Sequence, residues 1–148
     1  MSPRVVLDTN VISAALREDW TESARQWFAS SQHHQALTAV TILELVYGIA
    51  RMPDGRRRES LMDALTSLLG RREARILPLS AAAAVKAGAL RAEREAAGRA
   101  LSLADAQIAG ICLVNGAVLA TRNTRDFSGL GLDLVDPWDL PARDPSAP

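Results

Sequence analysis

Val5-Val6-Leu7-Asp8-Thr9-Asn10-Val11-Ile12 decides how the rest of this chain is read. An apolar run without a polar break is the pattern of a strand covered on both faces, and one is predicted over residues 4–7. The run stops at Asp8-Thr9-Asn10, three residues suited to turns and helix caps. Val11, Ile12, Ala15 and Leu16 then recur at helical spacing. Strand, polar turn, helix is the opening of a parallel sheet, because parallel strands must be joined by a crossover that is usually helical.

The same alternation continues outward. A second helix is predicted over 20–30, with Thr21 as cap and Ala24, Trp27 and Phe28 on one face. His33 and His34 follow in a polar loop. A second strand is expected over 36–40, and Thr41 then starts a helix whose apolar stripe is Leu43, Val46, Tyr47 and Ala50, stopping before Pro53. Residues 54–70 form the clearest amphipathic helix: Leu61, Leu65, Leu68 and Leu69 fall at i, i+4, i+7 and i+8, and Gly70 reads as its end. A third strand over 75–79 precedes an alanine-rich helix capped by Ser80 and ended by Gly98. Ser102 opens another helix, with Ala104, Ile108, Ile111 and Cys112 as its stripe, and strands follow over 117–121 and 132–135. Such alternation predicts an α/β fold whose parallel sheet carries helices on both faces. No internal repeat or linker divides it, so residues 1–140 form one domain. Three prolines in the last eight residues predict a disordered tail over 141–148.

Composition bounds the function. The chain has 148 residues, 17 basic against 17 acidic side chains, 48% hydrophobic residues and one cysteine. That is enough for a core without disulfides or a structural metal, and it excludes disorder for the bulk of the chain. Cys112 has no partner for a disulfide or a zinc cluster, which fits a cytoplasmic setting. Val5-Val6-Leu7 is too short for a signal-peptide core. The longest stretch without charged residues or histidine, 106–121, is interrupted by Asn115-Gly116 and falls short of the ~20 apolar residues a bilayer needs, so a soluble protein with no membrane partner is expected. All basic residues but Lys86 are arginine, a bias that assigns no function. A net charge of +0 argues against holding nucleic acid by bulk attraction; any such contact must be local.

Four carboxylates carry the chemistry. Asp8 stands at the carboxyl edge of the first strand, the edge where ligands bind in open parallel sheets, although Asp is also a good helix cap. Glu44, in Thr41-Ile42-Leu43-Glu44, and Asp105, in Ser102-Leu103-Ala104-Asp105, each fit a capping box as well as a site. Asp126 follows the fourth strand, in Thr121-Arg122-Asn123-Thr124-Arg125-Asp126-Phe127, and competes with a turn or Asx-type cap. All four belong to one sheet edge, where they would raise one another's pKa unless a cation neutralised them. Magnesium or manganese suits oxygen ligands; zinc would want His or Cys, and His33 and His34 read as a solvated pair. A divalent ion among carboxylates suits phosphodiester hydrolysis, by neutralising the phosphate, activating water and stabilising the leaving oxygen.

These segments resemble the PIN-domain ribonucleases. Residues 6–13, 41–48 with Glu44, 102–109 with Asp105, and 120–127 with Asn123 and Asp126 follow that family's order and spacing over nearly the whole chain. Within it they look most like the VapC and FitB toxins of bacterial type II toxin-antitoxin modules, the ending over 132–138 being FitB-like. The resemblance implies a three-layer α/β/α sandwich with a mostly parallel sheet of about five strands. It also implies a metal-dependent endoribonuclease with Asp8, Glu44, Asp105 and Asp126 as its acidic pocket. Asp8 and Asp105 would lead as metal ligands, Asp126 would ligate directly or through water, and Glu44 would ligate or orient water. Thr9, Asn10, Thr121 and Asn123 match the supporting polar positions. Further implications are a homodimer, a cognate antitoxin that blocks the pocket, and operator DNA bound only through that antitoxin.

Residues 51–75 hold seven Arg against four acids and form a candidate RNA-facing patch beside the plainer reading of a charged surface. Trp20, Trp27 and Phe28 are candidates for antitoxin contact, with core packing the competing reading for Trp27 and Phe28. Two other aspartate-and-magnesium classes fit poorly. A receiver wants a phosphorylatable Asp after the third strand and a Lys near the fifth, and a haloacid-type phosphatase wants Asp-x-Asp where this chain has Asp8-Thr9-Asn10. A non-catalytic module on the same fold is the remaining alternative.

Overall fold

Strands β1 (Val5–Leu7), β2 (Gln35–Thr38), β3 (Ile76–Leu77), β4 (Val118–Ala120) and β5 (Leu134–Val135) make up the sheet of the computed structural model, which describes residues 4–72 and 75–140. They lie in the order β3-β2-β1-β4-β5, and every pairing is parallel. In register, Val5, Val6 and Leu7 stand beside Val118, Leu119 and Ala120. Seven α-helices connect the strands among the described residues: α1 (Thr9–Arg17), α2 (Glu22–Ser30), α3 (Ala39–Ala50), α4 (Arg56–Arg72), α5 (Ala81–Ala96), α6 (Leu103–Asn115) and α7 (Thr124–Phe127). His33 and His34 are exposed in a single 3-10 turn before β2.

Successive strand residues point to opposite faces, and here each face has its own core. Val6, Ala36 and Leu119 join Ala83, Ala87, Ile108, Ile111 and Cys112 of α5 and α6, with Phe127 and Leu130. Their neighbours Leu7, Leu37 and Ala120 join Val11, Ile12, Leu45, Ile49, Leu61, Leu65 and Leu68 of α1, α3 and α4. Trp27 and Phe28 pack against this second core, as the core-packing reading expects. The result is the α/β/α sandwich with a five-stranded sheet. Its apolar strands are unbroken because both faces are covered.

Four local expectations are corrected. Helix α3 starts at Ala39, and its cap is Thr38, whose Oγ1 accepts from Thr41 N at 2.9 Å; β2 therefore ends two residues before the predicted position 40. Thr41 is buried and shares a 2.9 Å hydroxyl contact with Thr38, so the Thr41–Glu44 capping box does not form. The stripe shifts accordingly. Leu45 and Ile49 face the core, whereas Leu43 and Tyr47 are 68% and 63% exposed and Ala50 is exposed too. Helix α3 is apolar around most of its circumference, so hydrophobicity alone does not set its phase. Finally, α4 continues past Gly70 to Arg72, with Leu61, Leu65 and Leu68 buried as expected. Gly98, by contrast, does end its helix: at φ +72° it completes a C-terminal motif in which Arg99 N donates to Arg94 O (2.9 Å) and Gly98 N to Glu95 O (3.0 Å). The predicted tail, 141–148, lies outside the described residues.

Candidate active site

The strand order reverses at β1, whose connection leads to β2 on one side while β4 arrives on the other. The crevice at their carboxyl ends is therefore where a parallel sheet presents a site. Asp8 occupies it. Its backbone N continues the ladder to Ala120 O at 2.9 Å, and its side chain is 4% exposed. Oδ1 accepts from Thr9 N (2.8 Å), as a helix cap would. Oδ2 accepts from Thr121 Oγ1 (2.8 Å) and Asn10 Nδ2 (3.2 Å), a polar crosslink between β1 and β4 that capping does not require. Asn10 Oδ1 also accepts from Arg122 N at 3.2 Å, and Thr121 Oγ1 accepts from Asn123 N at 3.0 Å. Thus Thr9, Asn10 and Thr121 support the carboxylate directly, while Asn123 contributes through its main chain and makes no side-chain cap bond.

Glu44, half-buried on α3, accepts from Thr9 Oγ1 at 2.6 Å, a bond spanning 35 residues in place of the capping contact. Asp105 sits in the first turn of α6, where Ser102 Oγ accepts from its backbone N at 3.1 Å; here the predicted cap does form. Asp126 is exposed on α7, with its backbone N donating to Asn123 O at 3.0 Å.

The acids feel one another. Burial pushes the Asp8 carboxyl up to about 6 against the opposing bonds from Thr121 and Thr9, and the charges of Asp105 and Glu44 add to the rise. Burial likewise raises Asp105, opposed by Ser102 and reinforced by Glu44 and Asp126. All four acids are therefore linked by repulsion, though among the described residues no three of them close into a finished ligand set. The ion pairs among the described residues, Arg25–Glu22, Arg58–Asp54 and Arg91–Glu95, involve none of them. An all-oxygen donor set carrying unneutralised charge fits a hard divalent cation such as magnesium or manganese.

Beside the acids lies a cleft of about 310 Å³ lined by Arg94, Arg99, Ser102, Asp105, Arg125 and Asp126. Its arginines escape the sequence reading, which looks for basic character at 51–75. Several arginines of that segment are engaged elsewhere: Arg51 lies over the Tyr47 ring, Arg58 pairs with Asp54, and Arg75 donates to Gln32 O at the amino end of the strands. The available signal was the adjacency of Arg125 to Asp126.

An all-parallel α/β sheet with a buried acid at its switch point places that acid at the edge where folds of this class bind ligands. The family model described as PIN domain matches residues 5–131, and the chain belongs to that family. It is 38% identical over 137 residues to the plasmid stability protein StbB of Pseudomonas syringae pv. tomato, covering 91% of this chain and 99% of that one. To the VapC ribonuclease Y4jK of Sinorhizobium fredii it is 33% identical over 137 residues, covering 91% and 98%. The crystal structure of FitAcB from Neisseria gonorrhoeae matches with a TM-score of 0.84 at 31% identity, over 92% of this chain and 99% of that one. The VapC- and FitB-like resemblance read from the motifs is borne out. No described helix is long and apolar enough to cross a membrane.

Proposed function

We propose that this chain is a metal-dependent endoribonuclease acting as the toxin of a bacterial toxin-antitoxin pair. The observation that carries the reading is Asp8: a carboxylate 4% exposed at the sheet's switch point, coupled to Asp105 and Glu44, and held by Thr9, Asn10 and Thr121. The family and the VapC ribonuclease among its relatives support it.

Asp8, Asp105 and Asp126 would hold magnesium or manganese, which supplies charge neutralisation at a phosphodiester and a water acidic enough to attack it. The chain's own residues prepare that site. Two donors on Asp8 Oδ2 and one on Oδ1 fix the carboxylate plane, so it meets a ligand without rearranging. The Thr9 hydroxyl holds Glu44 Oε1, leaving Oε2 to orient a water or take its proton. Asp126 arrives on α7 after β4 and Glu44 on α3 after β2, the two strands that flank β1, so the acids would approach a phosphate from several elements. The toxin role brings the rest of the proposal: a cognate antitoxin covering the pocket, operator DNA reached only through that antitoxin, a cytoplasmic location, and a homodimer. The exposed Leu43, Val46 and Tyr47 of α3 are apolar surface available to self-association.

Cleavage of a panel of tRNAs and structured single-stranded RNAs by antitoxin-free protein tests the reading. Cutting that needs magnesium or manganese, stops with chelator and is lost in Asp8→Asn is the expected result. Wild-type protein that binds metal yet cuts nothing would favour the non-catalytic module.

A further inference from the structure

Resting on the ribonuclease reading, we propose that Arg99 and Arg125 form a subsite for an RNA backbone phosphate next to the one that is cut. Arg99 follows the Gly98 turn at the end of α5, and Arg125 lies on α7 one residue before Asp126; both are exposed in the cleft that Asp105 and Asp126 also line. Neither guanidinium pairs with a carboxylate among the described residues. Arg99 Nη2 reaches only Arg125 O and Ser128 Oγ, each at 3.5 Å, the outer limit of a hydrogen bond. Two planar donor forks are thus left with their strong bonds unmade, and that geometry matches phosphate oxygens.

The segment that carries them is braced from beneath. Arg94, 8% exposed, donates through Nη2 to Asp126 O at 2.9 Å and to Ser128 O at 2.6 Å. These bonds hold α7 and its exit at the end of α5, so Arg125 and the site acid Asp126 share one fixed platform. A phosphate on the arginines would therefore sit at a set distance from the acids, the preorganisation a substrate subsite needs. The arrangement also supplies the local attraction that a chain of +0 net charge otherwise lacks. An acidic peptide is the other ligand such forks accept. RNA is favoured because it carries a repeating charge, one phosphate for the acid-bound cation and the next for the arginines.

The test uses the full chain. In the Asp8→Asn background, which separates binding from cutting, anisotropy of a labelled mixed-sequence single-stranded RNA is followed against salt. Adding Arg99→Ala and Arg125→Ala is expected to weaken binding about tenfold or more, and to lower the slope of log K against log salt by about 0.7 for the one phosphate released. Lysine at both positions keeps most of the slope and recovers part of the affinity. In the cleaving protein the double alanine variant raises KM more than it lowers kcat. Unchanged slope and KM, with Asp8→Asn still abolishing cleavage, overturn the subsite and leave the nuclease standing. Loss of binding to polyglutamate with RNA binding intact overturns it in favour of a protein ligand. If wild-type protein cuts no RNA, the nuclease reading fails, and the RNA-binding slope still decides whether the arginines hold phosphate.

Discussion

Asp8 receives three hydrogen bonds and still ionises only at about 6, because burial and the neighbouring acids outweigh the donors. A carboxyl raised in the folded state binds more protons folded than unfolded between its two pKa values, so stability must fall as pH rises through that interval. From the ordinary carboxyl value of 3.8 to about 6, the cost to the folded state reaches about 3 kcal/mol above pH 6 and is absent below about pH 4. Denaturant unfolding of the metal-free protein should show that decline from about pH 4 to 6 and a plateau beyond. Asn at this position carries no charge but presents one acceptor oxygen where the carboxylate has two, costing about 1 kcal/mol per bond weakened. Asp8→Asn should therefore flatten the decline and stabilise the metal-free protein at pH 7 by about 1–2 kcal/mol while abolishing cleavage. A variant with the wild-type pH slope would show that another group carries the effect. With metal bound the order reverses, since the ion neutralises what the wild type must otherwise bear alone.

Helix α6 packs on α5 so closely that a Cβ at Gly110 would lie 3.0 Å from Ala87 N and inside van der Waals contact of Ala83 O. Helix propensity alone favours Gly110→Ala by about 1 kcal/mol, but the clash is with backbone that cannot swing aside, and overpacking costs about 1–3 kcal/mol. Packing wins, and the variant should be destabilised. Gly88, on α5, has nothing within 4 Å of its Cβ position, so Gly88→Ala should stabilise by about 0.5–1 kcal/mol. Opposite shifts in the denaturant midpoint check the pair; two shifts of the same sign would remove the packing argument. The contrast also shows what sequence can carry at this scale. Ser80, Ser102 and Gly98 announce their helix ends through local chemistry, and the structure keeps all three. Helix α3 departs from its local pattern because Thr41 and Glu44 imitate a cap that Thr38 provides, and because its apolar residues nearly encircle it.

Across the molecule, legibility follows distance along the chain. Asp8 could be placed at the carboxyl edge because the end of an apolar strand fixes its position in a parallel sheet, and the other acids could be placed because each follows a strand or cap. Nothing local announces that Thr9 holds Glu44, that Thr121 holds Asp8 across 113 residues, or that Arg94 braces Asp126; an arginine on α5 reads as an ordinary charged helix face. Cys112 gives a probe of how well this assembled whole holds together. It is fully buried in the core between the sheet and α6, and burial, with the Asp8 charge adding, pushes its thiol up to about 12. At pH 8 the folded protein then presents almost no thiolate and no access, so a thiol reagent reaches Cys112 only when the domain opens. Against an unfolded domain stability of about 5 kcal/mol or more, labelling should be slowed by roughly four orders of magnitude relative to the denatured chain. Gly110→Ala, two residues away on α6, should speed labelling by the factor that its loss of stability dictates. Labelling faster than that factor allows would mean that α6 detaches from the sheet without global unfolding, taking Asp105 with it.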